Sequence, residues 1–179
     1  MRPCGPVLIL MVTLALSAIQ SHATSLAPYG EVPELYGRVA RTHGIPVTLF
    51  YAIALAESGK HVTRLNSTQP WPWTLNIEGR GHYYPSRQTA VEAASEALAS
   101  GIRSVDIGLL QVNWDYHEAA LRSVESAMDP VYNLKVGARI LADCYRMRAD
   151  WWSAVGCYHA PANAERAARY RDRVGRIWT

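Results

Sequence analysis

The stretch Pro46 to Gly59, PVTLFYAIALAESG, reads as an almost uncharged helix that ends in a single carboxylate, Glu57. That feature constrains the chain more than any other. Helical spacing back from Glu57 passes through Ile53, Phe50 and Leu49, so the carboxylate leaves the helix on or beside an apolar face. The last turn of a helix has unpaired carbonyls that disfavour negative charge, and apolar neighbours displace water. Both effects raise a carboxyl pKa. Such a group can keep a proton near neutral pH and donate it. The plain alternative is a Glu that turns outward beside Gly59.

The chain has 179 residues, 49% of them apolar and 18% charged, which suits one globular domain with a sizeable core. The first 23 residues read as a signal peptide. Arg2 supplies the positive start, Val7 to Ile19 is an apolar run too short for a comfortable membrane span, and Ser21-His22-Ala23 offers small residues for cleavage after Ala23. The alternative is an uncleaved N-terminal anchor. Cleavage leaves residues 24–179 as the mature domain, exported to the periplasm and with no stable membrane span. The formal net charge of the whole chain, +3, is too mild to argue for nucleic acid. Cys4 leaves with the signal. Cys144 and Cys157 then remain as an even pair in an oxidising compartment and read as a disulfide between consecutive helices, worth roughly 3 kcal/mol on the loop-entropy model.

The rest of the chain reads as mainly helical. Helices are expected over Glu31 to His43, Ser86 to Ser100 with Ser86 as N-cap, Trp114 to Ser123, Asp129 to Met147, Asp150 to Tyr158 and Ala162 to Trp178. His61 to Pro72 reads as a polar loop. Trp73 to Tyr84 alternates around Glu78-Gly79-Arg80-Gly81 and predicts a small β-hairpin between helices. Ile107 to Asn113 is a tight apolar segment with one amide, Gln111. Arg166, Arg169, Arg173 and Arg176 fall on the polar side of the final helix. They are most simply a solvated face, the alternative being contact with acidic wall polymers.

Four pieces in order, LAES at Leu55 to Ser58, DIGLLQVN at Asp106 to Asn113, NLKVGARIL at Asn133 to Leu141 and AVGCYHAP at Ala154 to Pro161, resemble the lysozyme-like lytic transglycosylase family in its soluble-transglycosylase branch. The resemblance covers Leu35 to Trp178. It implies a lysozyme-like α+β fold, mainly α, and peptidoglycan glycan strands as substrate. It also implies cleavage of the MurNAc–GlcNAc β-1,4 bond with a 1,6-anhydro product. Glu57 is then the catalytic acid and base, and Ser58 and Gln111 help shape the sugar site. Tyr158 contacts the catalytic carboxylate, and Leu110, Asn113, His159 and Tyr170 join the substrate-binding set. No cofactor and no metal are implied. Family members of this size often accompany secretion, conjugation or pilus machinery, whose components are the expected partners.

Two positions depart from the family pattern: His159 stands where an Asn is usual and Pro161 where a Gly is usual. A stiffer loop and a different sugar contact are expected there, with His159 as a packing residue rather than a titrating one. A glycosidase normally pairs its acid with a second carboxylate. Asp106 is the candidate, although an Asp before Ile107-Gly108 more often caps or turns the chain. In the family the substrate's own acetamido group does that work. Sugar stacking is expected from Trp71 or Trp73, which flank the loop after Glu57. The histidines show no metal-ligand spacing, and no Ser sits in a nucleophile elbow. Two rival functions remain, a hydrolytic muramidase using the same residues and a glycan-binding scaffold without chemistry.

Overall fold

The computed structural model describes residues 25–26 and 29–179, so the signal segment and Cys4 lie outside the described residues. Two strands, β1 (Ser25–Leu26) and β2 (Gly30–Glu31), pair antiparallel and lead into α1 (Glu34–Thr42). The next helix, α2 (Val47–Ser58), meets α1 at 115°. Every residue from Leu49 to Leu55 is buried, because a helix that is apolar on all sides loses free energy wherever one side faces water. Pro46 opens α2 and Gly59 closes it.

Where the sequence reads as a polar loop, the chain forms a second hairpin. Strand β3 (Gly59–Val62) pairs with β4 (Ser67–Pro70) across one 3-10 turn at Thr63–Leu65. The expected hairpin follows as β5 (Thr74–Ile77) and β6 (Arg80–Tyr83), with Glu78 and Gly79 both at positive φ in the turn, as a two-residue hairpin loop requires. This hairpin does not stand alone. After α3 (Arg87–Ala99), which Ser86 caps by accepting from the Thr89 N–H, come β7 (Val105–Ile107) and β8 (Val112–Asn113). They complete a four-stranded antiparallel sheet in the order β6-β5-β7-β8.

The remainder is helical: α4 (Trp114–Leu121), a short α5 (Val124–Ala127), α6 (Pro130–Arg148), α7 (Trp151–His159) and α8 (Ala164–Trp178). Asp129, Asp150 and Asn163 cap the last three, each accepting from the N–H three residues on. Helices α6, α7 and α8 pack in sequence, and α8 returns to lie against α2. At its far end the Trp178 indole donates to the Thr48 hydroxyl at 2.9 Å. Cys144 of α6 and Cys157 of α7 form a disulfide, Cα to Cα 5.8 Å. The whole is a mainly helical, lysozyme-like architecture with a small antiparallel sheet beside the end of its most buried helix.

Candidate active site

The end of α2 faces the turn between β7 and β8, and most of the residues singled out by sequence serve that turn. Gly108 opens it at φ +80°, and a Cβ there would stand 2.7 Å from the Asn133 amide, so the position has room only for glycine. Gln111 closes it, also at positive φ. Three helices hold the backbone between them. From α2, the fully buried Ser58 hydroxyl donates to the Leu109 carbonyl at 2.8 Å. From α6, the buried Asn133 accepts from the Leu110 N–H at 2.9 Å and donates to the Ile107 and Ala127 carbonyls. From α7, the Tyr158 hydroxyl donates to the Leu110 carbonyl at 2.6 Å. Ser58, Leu110 and Tyr158 therefore act on the site through its framework.

Gln111 is half-buried. Its amide nitrogen donates to the Thr74 and Gly108 carbonyls, and its oxygen accepts no hydrogen bond among the described residues. Asn113 caps α4 through its oxygen and donates to Asp106 at 2.7 Å. Asp106 is the middle of a polar row across the sheet, opposite Asn76 on one side and Asn113 on the other. The Asn76 side-chain oxygen is buried with no hydrogen-bond partner among the described residues. Burial raises the Asp106 pKa, while the Asn113 hydrogen bond and the Arg166 charge oppose that rise.

Glu57 is half-buried in the last turn of α2, and no cation forms an ion pair with it among the described residues. Burial pushes its pKa from 4.5 up to about 7; the Tyr170 hydroxyl and the Arg173 charge pull against that rise, and Asp106 adds slightly to it. The Tyr170 hydroxyl is buried beside the carboxyl and lowers its pKa, and it has no other hydrogen-bond partner among the described residues. So the two tyrosines divide the work expected of one. Tyr158 sits near enough for the Glu57 charge to raise its pKa, yet it spends its hydroxyl on the turn, and Tyr170 turns its own toward the carboxyl.

His159 stacks on the Tyr170 ring, 4.3 Å between centroids and 7° from parallel. Partial burial first, then Arg173 and Arg166, push its pKa down to about 4, so it is neutral at physiological pH and packs. Trp71 lies beside the end of α2, its backbone N–H donating to the Ser58 carbonyl and its indole N–H to the Tyr84 carbonyl, but the Lys60 ammonium covers one ring face at 4.2 Å. Trp73 packs at the edge of the core. Among the described residues no three His, Cys, Asp or Glu side chains are grouped to hold a metal. A recess of about 560 Å³ between α1, α4 and α6 is lined by none of the candidate site residues, whereas one of about 270 Å³ adjoins Tyr170 and His159.

The family model for the transglycosylase SLT domain matches residues 34–178. The chain belongs to the SLT transglycosylase family. Neither the comparison with curated proteins nor that with solved structures found a match. Membership carries the coarse activity with it: this SLT domain is of the lytic transglycosylase kind, acting on peptidoglycan outside the cytoplasm. Sequence reasoning about the domain missed Asn133 as a tether, Asn76 as an orphaned acceptor, and the reach of Arg166 and Arg173 toward the two carboxyls. The signal for Asn133 was present, since an amide on the buried side of α6 has to find partners.

Proposed function

We propose that this SLT domain cleaves the β-1,4 bond between MurNAc and GlcNAc and closes a 1,6-anhydro ring on the muramyl sugar, with Glu57 serving first as acid and then as base. One observation supports this above the others: an unpaired carboxyl at the end of an apolar helix, its pKa pushed up to about 7 by burial. Glu57 gives its proton to the glycosidic oxygen as the bond to C1 breaks. The substrate's acetamido oxygen stabilises the oxocarbenium-like centre. The Glu57 carboxylate then takes the proton of the 6-hydroxyl as that oxygen attacks C1. The proton returns to Glu57, and no water is consumed. Gln111, whose side-chain oxygen accepts no hydrogen bond among the described residues, is a candidate contact to a sugar hydroxyl.

A hydrolytic muramidase is the rival that Asp106 keeps in view, because its charge is felt at Glu57. Against it stands the commitment of the Asp106 carboxylate to Asn113. Mass spectrometry of wall digested by purified protein separates the two. An anhydro product is expected, and a reducing end carrying the mass of water would overturn the transglycosylase reading. No product at all would favour a glycan-binding scaffold. We place the enzyme in the periplasm as a single domain over residues 24–179, exported by residues 1–23. A local role for a secretion, conjugation or pilus machine belongs to the reading by family analogy alone.

A further inference from the structure

The outer face of α8 carries Arg166, Arg169, Arg173 and Arg176, spaced three, four and three residues apart, so the four guanidinium groups share one side of the helix over about 15 Å. They are not simply dispersed in solvent. With His159 and Tyr170 they line an open surface recess of about 270 Å³. Like charges at this spacing repel one another, and little on the protein relieves them. Arg169 pairs with Glu165; Arg166, Arg173 and Arg176 form no ion pair among the described residues. Asp172, on the same helix, forms none either. The Glu57 and Asp106 carboxyls feel Arg173 and Arg166 only through space. The remaining wall, His159, adds no charge of its own at neutral pH.

Tyr170 joins this recess to the catalytic carboxyl. Its hydroxyl faces Glu57, its ring stacks on His159, and the Arg173 guanidinium lies 5.0 Å from the ring centre. A muramyl sugar whose C1–O bond lies at Glu57 carries its peptide on the lactyl group at the neighbouring O3, within one ring width of that bond. The peptide ends in free carboxylates, which planar guanidinium groups bind in a fork. We propose that the arginine-lined recess binds the carboxylates of the stem peptide on the muramyl sugar being cut, and so makes the enzyme selective for peptide-bearing over naked glycan strands. The proposal rests on the transglycosylase reading above.

The test compares kcat/KM of the mature protein on peptide-bearing strands with kcat/KM on the same strands stripped by an amidase. Wild type is expected to favour the peptide-bearing strands by about tenfold or more, with the preference shrinking as salt rises. In Arg166→Gln/Arg176→Gln the preference falls to about twofold or less, and Arg166→Lys/Arg176→Lys restores part of it. All four arginines are exposed, and circular dichroism checks that the variants fold. A wild type that cuts both strands equally well would overturn the recess and leave the transglycosylase reading standing, whereas a wild type that cuts neither would overturn that reading. Free stem tripeptide is expected to compete with cleavage, and inorganic polyphosphate competing equally well would reduce the recess to an unspecific anion patch.

Discussion

The role proposed for Glu57 asks one carboxyl to give up a proton and then take one back, which works best when its pKa lies near the ambient pH, and burial rather than a partner raises the Glu57 pKa to about 7. Glu57→Gln is expected to abolish turnover while leaving the fold and glycan binding intact. Asp106→Asn should cost far less, because an amide can still be held in the polar row between Asn76 and Asn113. If Asp106→Asn were as inactive as Glu57→Gln in a folded protein, product assays would point to a two-carboxylate hydrolase. Tyr158→Phe should fall between them, since it leaves the Leu110 carbonyl without its donor at a cost of about 1–3 kcal/mol. The pH dependence has a definite sign. The folded state raises the Glu57 pKa from 4.5 to about 7 and so holds the proton more tightly than the unfolded chain does. That contribution is full below about pH 4.5 and lost as the pH rises through 7, on the order of 3 kcal/mol in all. Glu57→Gln cannot ionise, so it should melt above the wild type at pH 8 and the gap should close below pH 4.5. An equal gap at both pH values would mean that the Glu57 charge is not desolvated.

Among the elements, the β7–β8 turn depends most on distant parts of the chain. Asn133→Ala removes one side chain and strands three backbone groups, at Leu110, Ile107 and Ala127. Denaturant unfolding should show a loss of at least about 3 kcal/mol, and kcat should fall because the turn is no longer pinned from α6. A variant that unfolds like the wild type would show that water replaces the amide at no cost. The helices were readable in the sequence because their caps are local: Ser86, Asp129 and Asp150 each lie three residues from the N–H they receive. The sheet was only half readable. Strands β5 and β6 announce themselves through their turn, whereas β7 and β8 span three and two residues; β7 finds β5 across the whole of α3, and β8 pairs only with β7. The β3–β4 hairpin hid for another reason. Its residues are polar and mostly half-buried, without the alternation that marks a strand, and it packs against the end of α2. Glu57 was legible from its own helix, but the roles of Tyr158 and Tyr170 were not, because each is decided by a neighbour far away in sequence.

In the molecule as a whole, the Cys144–Cys157 bridge ties α6 to α7, and those helices supply two of the three tethers on the turn, Asn133 and Tyr158. Cys144→Ala/Cys157→Ala should lower stability by about 3 kcal/mol and the melting temperature by roughly 10 °C, with cleavage retained at low temperature. Two free thiols on titration of exported protein, with an unchanged melting curve, would reject the bridge. Glu57 belongs to α2, and the hydroxyl that faces it belongs to α8, which Trp178 fastens back onto Thr48. During synthesis Glu57 therefore emerges early and waits for α8 before its surroundings exist. A growing chain carries the proposed acid but not the surroundings that raise its pKa, and a product shortened before α8 is expected to be inert.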